Sequence, residues 1–439
     1  MVSIHIRRKG EGGRAEDRHL ASDTPIGSAP EIGDGAPENI LADALSRPEH
    51  ISVIPFVDAL VCSAVRARAS DIHIDPQESE VSVRLRVDGV LRKVWTIPKS
   101  LQSEVITRLK ILSGLRTDEH HAAQDGRFRI MHGSGGVDVR VSIVPTYYGE
   151  NAVLRLLTNS AEEFTLDSLG FRPEDRERIE RATKRPYGMV LATGPTGSGK
   201  TTTLYTLVKM LNRPGVSIIT IEDPIEYAIP GINQVQANTR TGLSFAHGLR
   251  SFLRQDPNVI MVGEIRDAET AGLAVNTALT GHLLLSTLHT NDAPTTLPRL
   301  LDMHVEPYLI ASTMNLAIGQ RLIRRVCEEC KRERHLTEVE ARSIAEVLPR
   351  GTHVEAGEIF VDGAGCDTCG GTGFRGRIGV YEVMEMNDEL RNGVLRKASA
   401  SEIRTIAIRF GMVPMMVDAL DKAKRGLTTI GEILRMRYE

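Results

Sequence analysis

The stretch GMVLATGPTGSGKTTTLYTLVKML, residues 188–211, decides the fold. Its first six residues form an apolar run of strand length, and its last twelve carry apolar residues at helical spacing. Between them lies a glycine-rich turn. In a strand–turn–helix unit of this kind, backbone N–H groups of the turn and the dipole at the helix N-terminus both favour an anion. Gly194, Pro195, Thr196, Gly197, Ser198, Gly199, Lys200, Thr201 and Thr202 are therefore candidate nucleotide-binding residues, and Gly194, Gly199, Lys200 and Thr201 match GxxxxGK[ST]. In that pattern Lys200 reaches the β and γ phosphates of ATP and Thr201 ligates Mg2+.

Working outward, apolar runs SIITIE, NVIMVG and HLLLSTL alternate with helical patterns of ten to fifteen residues, which predicts an α/β fold with a parallel sheet. Ligands of such sheets gather at the carboxyl ends of the strands. Three segments place acids or histidines beside those ends. ITIEDPIEY offers Glu222 and Asp223 at a strand end and Glu226 in the following turn. PNVIMVGEIRD ends its apolar run in Gly263 and Glu264, where a magnesium-binding ATPase more often has aspartate; the longer glutamate can reach the water shell of the ion. In HLLLSTLHTND, His282 and His289 bracket one strand, and at least one of them is expected to sense the γ-phosphate. Hydrolysis also needs a group to orient or deprotonate water, and Glu226 is the first choice for that role.

The chain of 439 residues, 41% of them apolar, is long enough for two or three domains. Its net charge of −3 gives no overall basic footprint for nucleic acid. No stretch has the apolar length of a membrane span, and MVSIHIRRKGEGG lacks the core of a signal peptide, so a cytoplasmic location is expected. Residues 1–48, rich in Gly, Pro, Ser and charged residues, read as a mobile tail. From residue 49 to 158 the pattern is an α/β domain: a helix in VIPFVDALVCSAVRAR, a strand DIHIDP, a hairpin EVSVRLRVDGVLRKVW turning at Asp88-Gly89, a helix from Leu101 to Ser113, and strands FRIMHG, VDVRVSIVPT and NAVLRLL. Residues 159–324 form the nucleotide-binding core, and QRLIRR, beyond Gly319, reads as a basic helix end. A helical region spans 381–439.

Of five cysteines, four form CEEC and CDTC. Cys327, Cys330, Cys366 and Cys369 offer the four thiolates that a structural Zn2+ prefers, within a subdomain at 325–380. Cys62 stands alone in a helical pattern and reads as a buried small side chain.

With these segments in hand, the sequence resembles the secretion ATPase superfamily of type II secretion and type IV pilus assembly, the GspE/PilB type. The likeness runs from about Ile51 to the C-terminus. It rests on four boxes in family order, GPTGSGKTTT, TIEDPIEY, PNVIMVGEIRDAET and TGHLLLSTLHTNDA, with SDIHIDP, RLRVDGVLR and AAQDGR upstream and QRLIRRVCEEC downstream. The resemblance implies a RecA-like P-loop NTPase domain, a PAS-like N-terminal domain joined to it by a flexible linker, and a zinc-binding tetracysteine subdomain. It implies a homo-hexamer at the cytoplasmic face of the inner membrane, working with secretion or pilus platform proteins. It implies catalytic roles for Glu226 and Glu264, and candidate phosphate contacts for Arg86, Arg92, Arg108 and Arg127. Two departures stand out: the docking domain that precedes the match in many members is absent or reduced to the short tail, and DEHH precedes AAQDGR. A nucleic-acid motor of the conjugation or helicase type shares the RecA core and is the alternative. The fragment ILSGLR resembles a transporter signature, but it precedes the phosphate loop and is dismissed as chance.

Overall fold

The computed structural model describes Leu41 and residues 52–132, 135–158, 164–349 and 351–437. The expected tail, apart from Leu41, lies outside these. The chain divides into two compact units, the first built from segments up to Val65, Ile72–Val83 and Trp95–Thr158, the second from Arg66–Asp71, Arg84–Val94 and Asn159–Glu439.

In the N-terminal part, the helix Val53–Arg66 buries Phe56, Val57, Leu60, Val61 and Cys62. Strands β1 (Ala69–Pro76), β2 (Glu80–Val87), β3 (Val90–Pro98), β4 (Gln124–His132), β5 (Gly135–Thr146) and β6 (Gly149–Thr158) form one sheet in the order β3-β2-β1-β6-β5-β4. The alternation of apolar residues along β5 explains its placement: Val137, Val139, Val141 and Ile143 are all buried, as a strand with one covered face requires. The DEHH segment is latched here. Buried Lys110, from the helix Gln102–Leu112, donates to the Glu119 carbonyl at 2.6 Å and pairs with Glu150 at 2.6 Å. His120 Nδ1 meets the other Glu150 oxygen at 2.8 Å. Burial pushes the Glu150 carboxyl up, but Lys110 and His120 outweigh it and hold it below its ordinary value.

The second unit is built on β7 (Gly188–Thr193), β8 (Ile218–Glu222), β9 (Asn233–Gln236), β10 (Val259–Ile265), β11 (Leu283–Leu288), β12 (Met314–Val326) and β15 (Phe374–Glu385), in the order β15-β12-β7-β11-β10-β8-β9. All neighbours are parallel except β12 and β15. Every residue of β7, β8 and β11 is buried, as expected of a sheet covered on both faces. One core packs Leu191, Ile221, Val262 and Leu284 against Leu249, Val275, Leu297, Leu390 and Ile403; another packs Val190, Met261 and Leu285 against Leu204, Leu207, Val208 and Ile179.

One expectation changes. QRLIRR is not a helix end: it lies inside β12, past the Met314–Gly319 half that pairs with β7, and it pairs with β15. The adjacent Leu322 and Ile323 fit either period, and pairing within the sheet decides for the strand. The segment carrying the cysteines therefore enters from one strand of the main sheet and returns to the sheet through another. Between them, β13 (Lys331–His335) and β14 (Ile359–Gly363) pair as a small antiparallel ribbon beside the helix Glu338–Ala345.

Candidate active site

The phosphate loop hangs between β7 and the helix Lys200–Leu211. Gly194, Gly197 and Gly199 have φ of 146°, 80° and 87°, a region that side chains disfavour. At Gly194 the space is closed as well, since a Cβ there would lie 2.2 Å from the Gln320 carbonyl oxygen. Gln320 also donates from Nε2 to the Ser198 carbonyl at 2.8 Å, so β12 braces the loop from below. Lys200 Nζ donates to the carbonyls of Gly194 and Pro195 at 2.8 and 3.0 Å, which folds the ammonium across the loop. Burial lowers the Lys200 pKa, and the nearby Glu264 charge works against that shift. Thr196, Gly197 and Thr201 are exposed, and Thr202 is half-buried. Ser198 Oγ and Gln320 Oε1 are buried without a hydrogen-bond partner among the described residues. A glycine turn with a lysine and a helix N-terminus at one point fits a triphosphate.

Glu264 is placed by an irregularity. β10 and β11 run in register from Val259↔Leu283 to Val262↔Ser286 and resume only at Ile265↔Leu288. The extra residue re-aims the strand end, as bulges beside active sites do. Ser286 and Thr287 hydroxyls donate to the carbonyls of Val262 and Gly263 at 2.7 and 2.8 Å and fix the bend. The Glu264 carboxylate then meets Arg266 Nε at 2.6 Å and His289 Nε2 at 3.0 Å. Burial pushes its pKa up, but Arg266 and His289 together outweigh burial and bring it below the ordinary glutamate value. The carboxylate is therefore ionised at neutral pH. Arg266 had no place in the sequence reading; its signal was its position two residues on from Glu264.

Glu222, Glu226 and the two histidines separate. Glu222 is 2% exposed and turned into the protein, where it accepts from the Tyr205 hydroxyl, from Thr220 at 2.6 Å and from Gln234 at 3.2 Å. It is a buried anchor, with its oxygens occupied by those donors. The same carboxylate and burial raise the Tyr205 pKa, burial contributing most. Glu226 is exposed, its backbone N–H held by the Tyr205 hydroxyl at 3.3 Å, and its side chain makes no hydrogen bond or ion pair among the described residues. His289 stands at the carboxyl end of β11. His282 stands at the other end: the next residue, Leu283, is in register with Gly188 at the start of β7, and His282 Nδ1 lies 3.1 Å from the Thr277 carbonyl. The structure does not bring His282 to the loop.

Two of the four arginines have acidic partners nearby. Arg86 pairs with Asp71 at 3.4 Å and donates to the Gly89 carbonyl at 3.1 Å. Arg108 approaches Asp58 at 3.6 Å, with its Nε buried and unpartnered among the described residues. Arg127 is exposed on β4, opposite Arg140, which in turn lies opposite Arg155 on β6. Arg92 is half-buried on β3.

The thiols of Cys327, Cys330, Cys366 and Cys369 lie within 4.8 Å of one another. Cys327 to Cys366 and Cys330 to Cys369 are both 3.9 Å, and Cys366 to Cys369 is 3.7 Å. Four sulfurs at about 2.3 Å from a tetrahedral ion stand about 3.8 Å apart, so these three separations match a zinc site. Backbone N–H groups of Cys366 and Gly373 donate to Cys369 Sγ, both at 3.2 Å. Burial would raise the Cys369 pKa, yet these donors and the neighbouring thiols lower it to about 6, which favours the ligating thiolate.

A cavity of about 710 Å³ opens away from this chemistry, between Phe164–Asp167, the far turns of the Lys200–Leu211 helix and Tyr227–Pro230. None of the phosphate-loop residues lines it.

A covered parallel sheet, a glycine loop with lysine at a helix start, and an ionised glutamate re-aimed at the neighbouring strand tip define a P-loop nucleotide-binding protein. The chain belongs to the Type II/IV secretion system protein family, whose model matches residues 47–435. Among relatives, it is 44% identical over 413 residues to the type IV pilus assembly ATPase PilB of Myxococcus xanthus, covering 93% of this chain and 72% of that one. It is 40% identical to the type II secretion system ATPase E of Vibrio cholerae, covering 97% and 82%. Against PilB of Thermus thermophilus it is 46% identical over 88% of its own length but spans 43% of that protein. Among solved structures, the pilus retraction motor PilT with bound ADP matches with a TM-score of 0.57 and 25% identity, over 86% of this chain and 96% of that one. The Legionella pneumophila ATPase DotB matches with a TM-score of 0.64 at 22% identity, covering 87% and 95%, which speaks for the fold. No helix among the described residues is long and apolar enough to cross a membrane.

Proposed function

We propose that the chain hydrolyses ATP to power assembly of a pilus or of the pseudopilus of type II secretion. The observation that carries the reading is the ionised Glu264, held by Arg266 and His289 at a strand tip and close enough to Lys200 to influence its charge. Lys200 leaves the loop carbonyls for the β and γ phosphates, and the loop N–H groups hold the rest of the chain of phosphates. Thr201 and, through water, Glu264 are the groups that would hold Mg2+, which supplies charge neutralisation on the phosphate oxygens. Glu226, exposed beside the anchored Tyr205, orients or deprotonates the attacking water, while His289 reports the state of the γ-phosphate to Glu264. Arginines among Arg86, Arg92, Arg108 and Arg127 complete the charge on the phosphates in a homo-hexamer. The four cysteines hold structural Zn2+, and residues 49–158, 159–324, 325–380 and 381–439 serve as PAS-like domain, ATPase core, zinc subdomain and helical region. The working location is the cytoplasmic face of the inner membrane, on a platform protein of the secretion or pilus machine.

The experiment compares ATP turnover and binding of a fluorescent ATP analogue. Lys200→Ala should abolish turnover and weaken binding; Glu226→Gln should cut turnover by about 10²-fold, the scale of a lost general base, while binding stays near that of the parent. Turnover of Glu226→Gln at the parent rate sinks the base assignment. Stimulation by DNA that falls steeply with salt would point to the nucleic-acid motor instead.

A further inference from the structure

The turn after β11 carries His289 toward Glu264, and what holds that turn comes from far along the chain. Thr290 N–H donates to Thr193 Oγ1 at 3.0 Å, tying the turn to the last residue of β7 just before the phosphate loop. Two residues on, Asp292 Oδ1 accepts from the N–H and hydroxyl of Thr295 at 2.8 and 2.6 Å. Its other oxygen, Oδ2, accepts from Arg404 Nη2 at 2.5 Å. Arg404 belongs to the helix Ala400–Arg409, whose Ile403, Ile406 and Ala407 pack in the same core as Leu297 and Leu300. The second arm of the guanidinium, Nη1, reaches Glu382 Oε1 on β15 at 3.5 Å.

Glu382 is 3% exposed, and its oxygens also accept the N–H groups of Met415 at 3.1 Å and Ala293 at 3.3 Å. Two carboxylates therefore face one guanidinium. Burial pushes the Glu382 pKa up, Arg404 brings it down, and Asp292 pushes it up again. With Arg404 removed, two like charges would be left facing each other, Glu382 on β15 and Asp292 on the turn after β11. That turn has little slack, since a Cβ on Gly319 of β12 would lie 2.7 Å from the Ala293 nitrogen.

We propose that Arg404 is a positioning residue for ATP hydrolysis: by clamping Asp292 to Glu382 it sets the His289–Ala293 turn, and so the hold of His289 on Glu264. The C-terminal helices are thereby part of the nucleotide site, as a support that the phosphate chemistry feels through one guanidinium. The assignment rests on the reading of His289 as a group that acts at the γ-phosphate.

The test is a mutant cycle on steady-state ATPase kinetics in the 439-residue chain, with thermal melts of every variant. Arg404→Gln and His289→Ala should each lower kcat by about tenfold, equivalent to ~1.4 kcal/mol of transition-state stabilisation, with KM for ATP changed by less than about twofold. The double variant should be no slower than His289→Ala, because both act through one element. Asp292→Asn, which keeps an acceptor for Thr295 and removes the charge, should resemble Arg404→Gln, and Arg404→Lys should recover part of the rate. Arg409→Gln, on the same helix with its ion pair to Glu389 at 3.2 Å, should leave kcat unchanged. If His289→Ala turns over like the parent, the reading of His289 is wrong and the proposal goes with it. If His289→Ala is slow while Arg404→Gln is not, or if the two losses multiply, the positioning role alone is overturned.

Discussion

Replacing Tyr205 by Phe removes one oxygen from the interior and tests the account of the acidic turn. Tyr205 is 1% exposed, and its hydroxyl is the donor to Glu222 Oε2; Thr220 and Gln234 serve the other oxygen. The variant therefore leaves a 2%-exposed carboxylate short of a charge-assisted bond, a loss of about 1.5–3 kcal/mol. No large void forms, because the ring stays, packed edge-on to Tyr227 at 4.8 Å. The Glu226 N–H loses its acceptor too, adding about 0.5–1 kcal/mol where water does not replace it. At about 2–4 °C per kcal/mol for a unit of this size, the melting midpoint should fall by roughly 4–16 °C. Differential scanning fluorimetry measures the shift, and the ATPase assay should show kcat falling several-fold as the turn bearing Glu226 loosens. Adding Glu222→Gln to Tyr205→Phe should restore about 1 kcal/mol, since an uncharged amide is cheaper to leave short of a partner. A Tyr205→Phe protein melting within about 1 °C of the parent would refute the reasoning, because the hydroxyl would then carry none of the load assigned to it.

Two further outcomes follow from the geometry. Elemental analysis of protein purified without chelator should find about one zinc per chain, as expected of a four-thiolate structural site, and Cys366→Ser should lose the metal and melt at lower temperature; a zinc content near zero in intact protein removes the metal assignment. Gly319→Ala should destabilise the chain by about 1–3 kcal/mol, because the atoms in its way are backbone of Asp292 and Ala293 and cannot rotate aside; a urea midpoint equal to that of the parent would show that the turn yields freely.

The strand, turn and helix of residues 188–211 were legible because each piece carries its own local signal. The same holds for the apolar runs that became β8, β10 and β11, and for Glu264, whose place at a strand tip follows from where the run stops. Orientation was less legible. His282 and His289 bracket one strand with equal plausibility until the direction of that strand is applied, and the parallel register then leaves only His289 at the carboxyl end. Glu222 looked like a strand-tip acid, but the donor that draws it inward sits on the phosphate-loop helix. Nothing near position 222 encodes that hydroxyl. QRLIRR failed for a related reason, since its strand character comes from pairing with β15 and not from its own spacing. Gln320 and Arg404 were beyond reach altogether: each is an ordinary polar side chain whose importance lies in what the fold brings against it.

The antiparallel pairing of β12 and β15 spans Leu316↔Glu385 to Val326↔Phe374, with Gln320 against the phosphate loop and Cys327 immediately past the far end. At ~3.3 Å per residue this beam carries the thiolate knot roughly 23 Å from Gln320. A ladder hydrogen-bonded along that length transmits tilt better than it absorbs it. A metal held in the knot would thus pin the tip of a lever whose fulcrum bears on the phosphate loop, and removing it would reach turnover mechanically, without any chemical part in it.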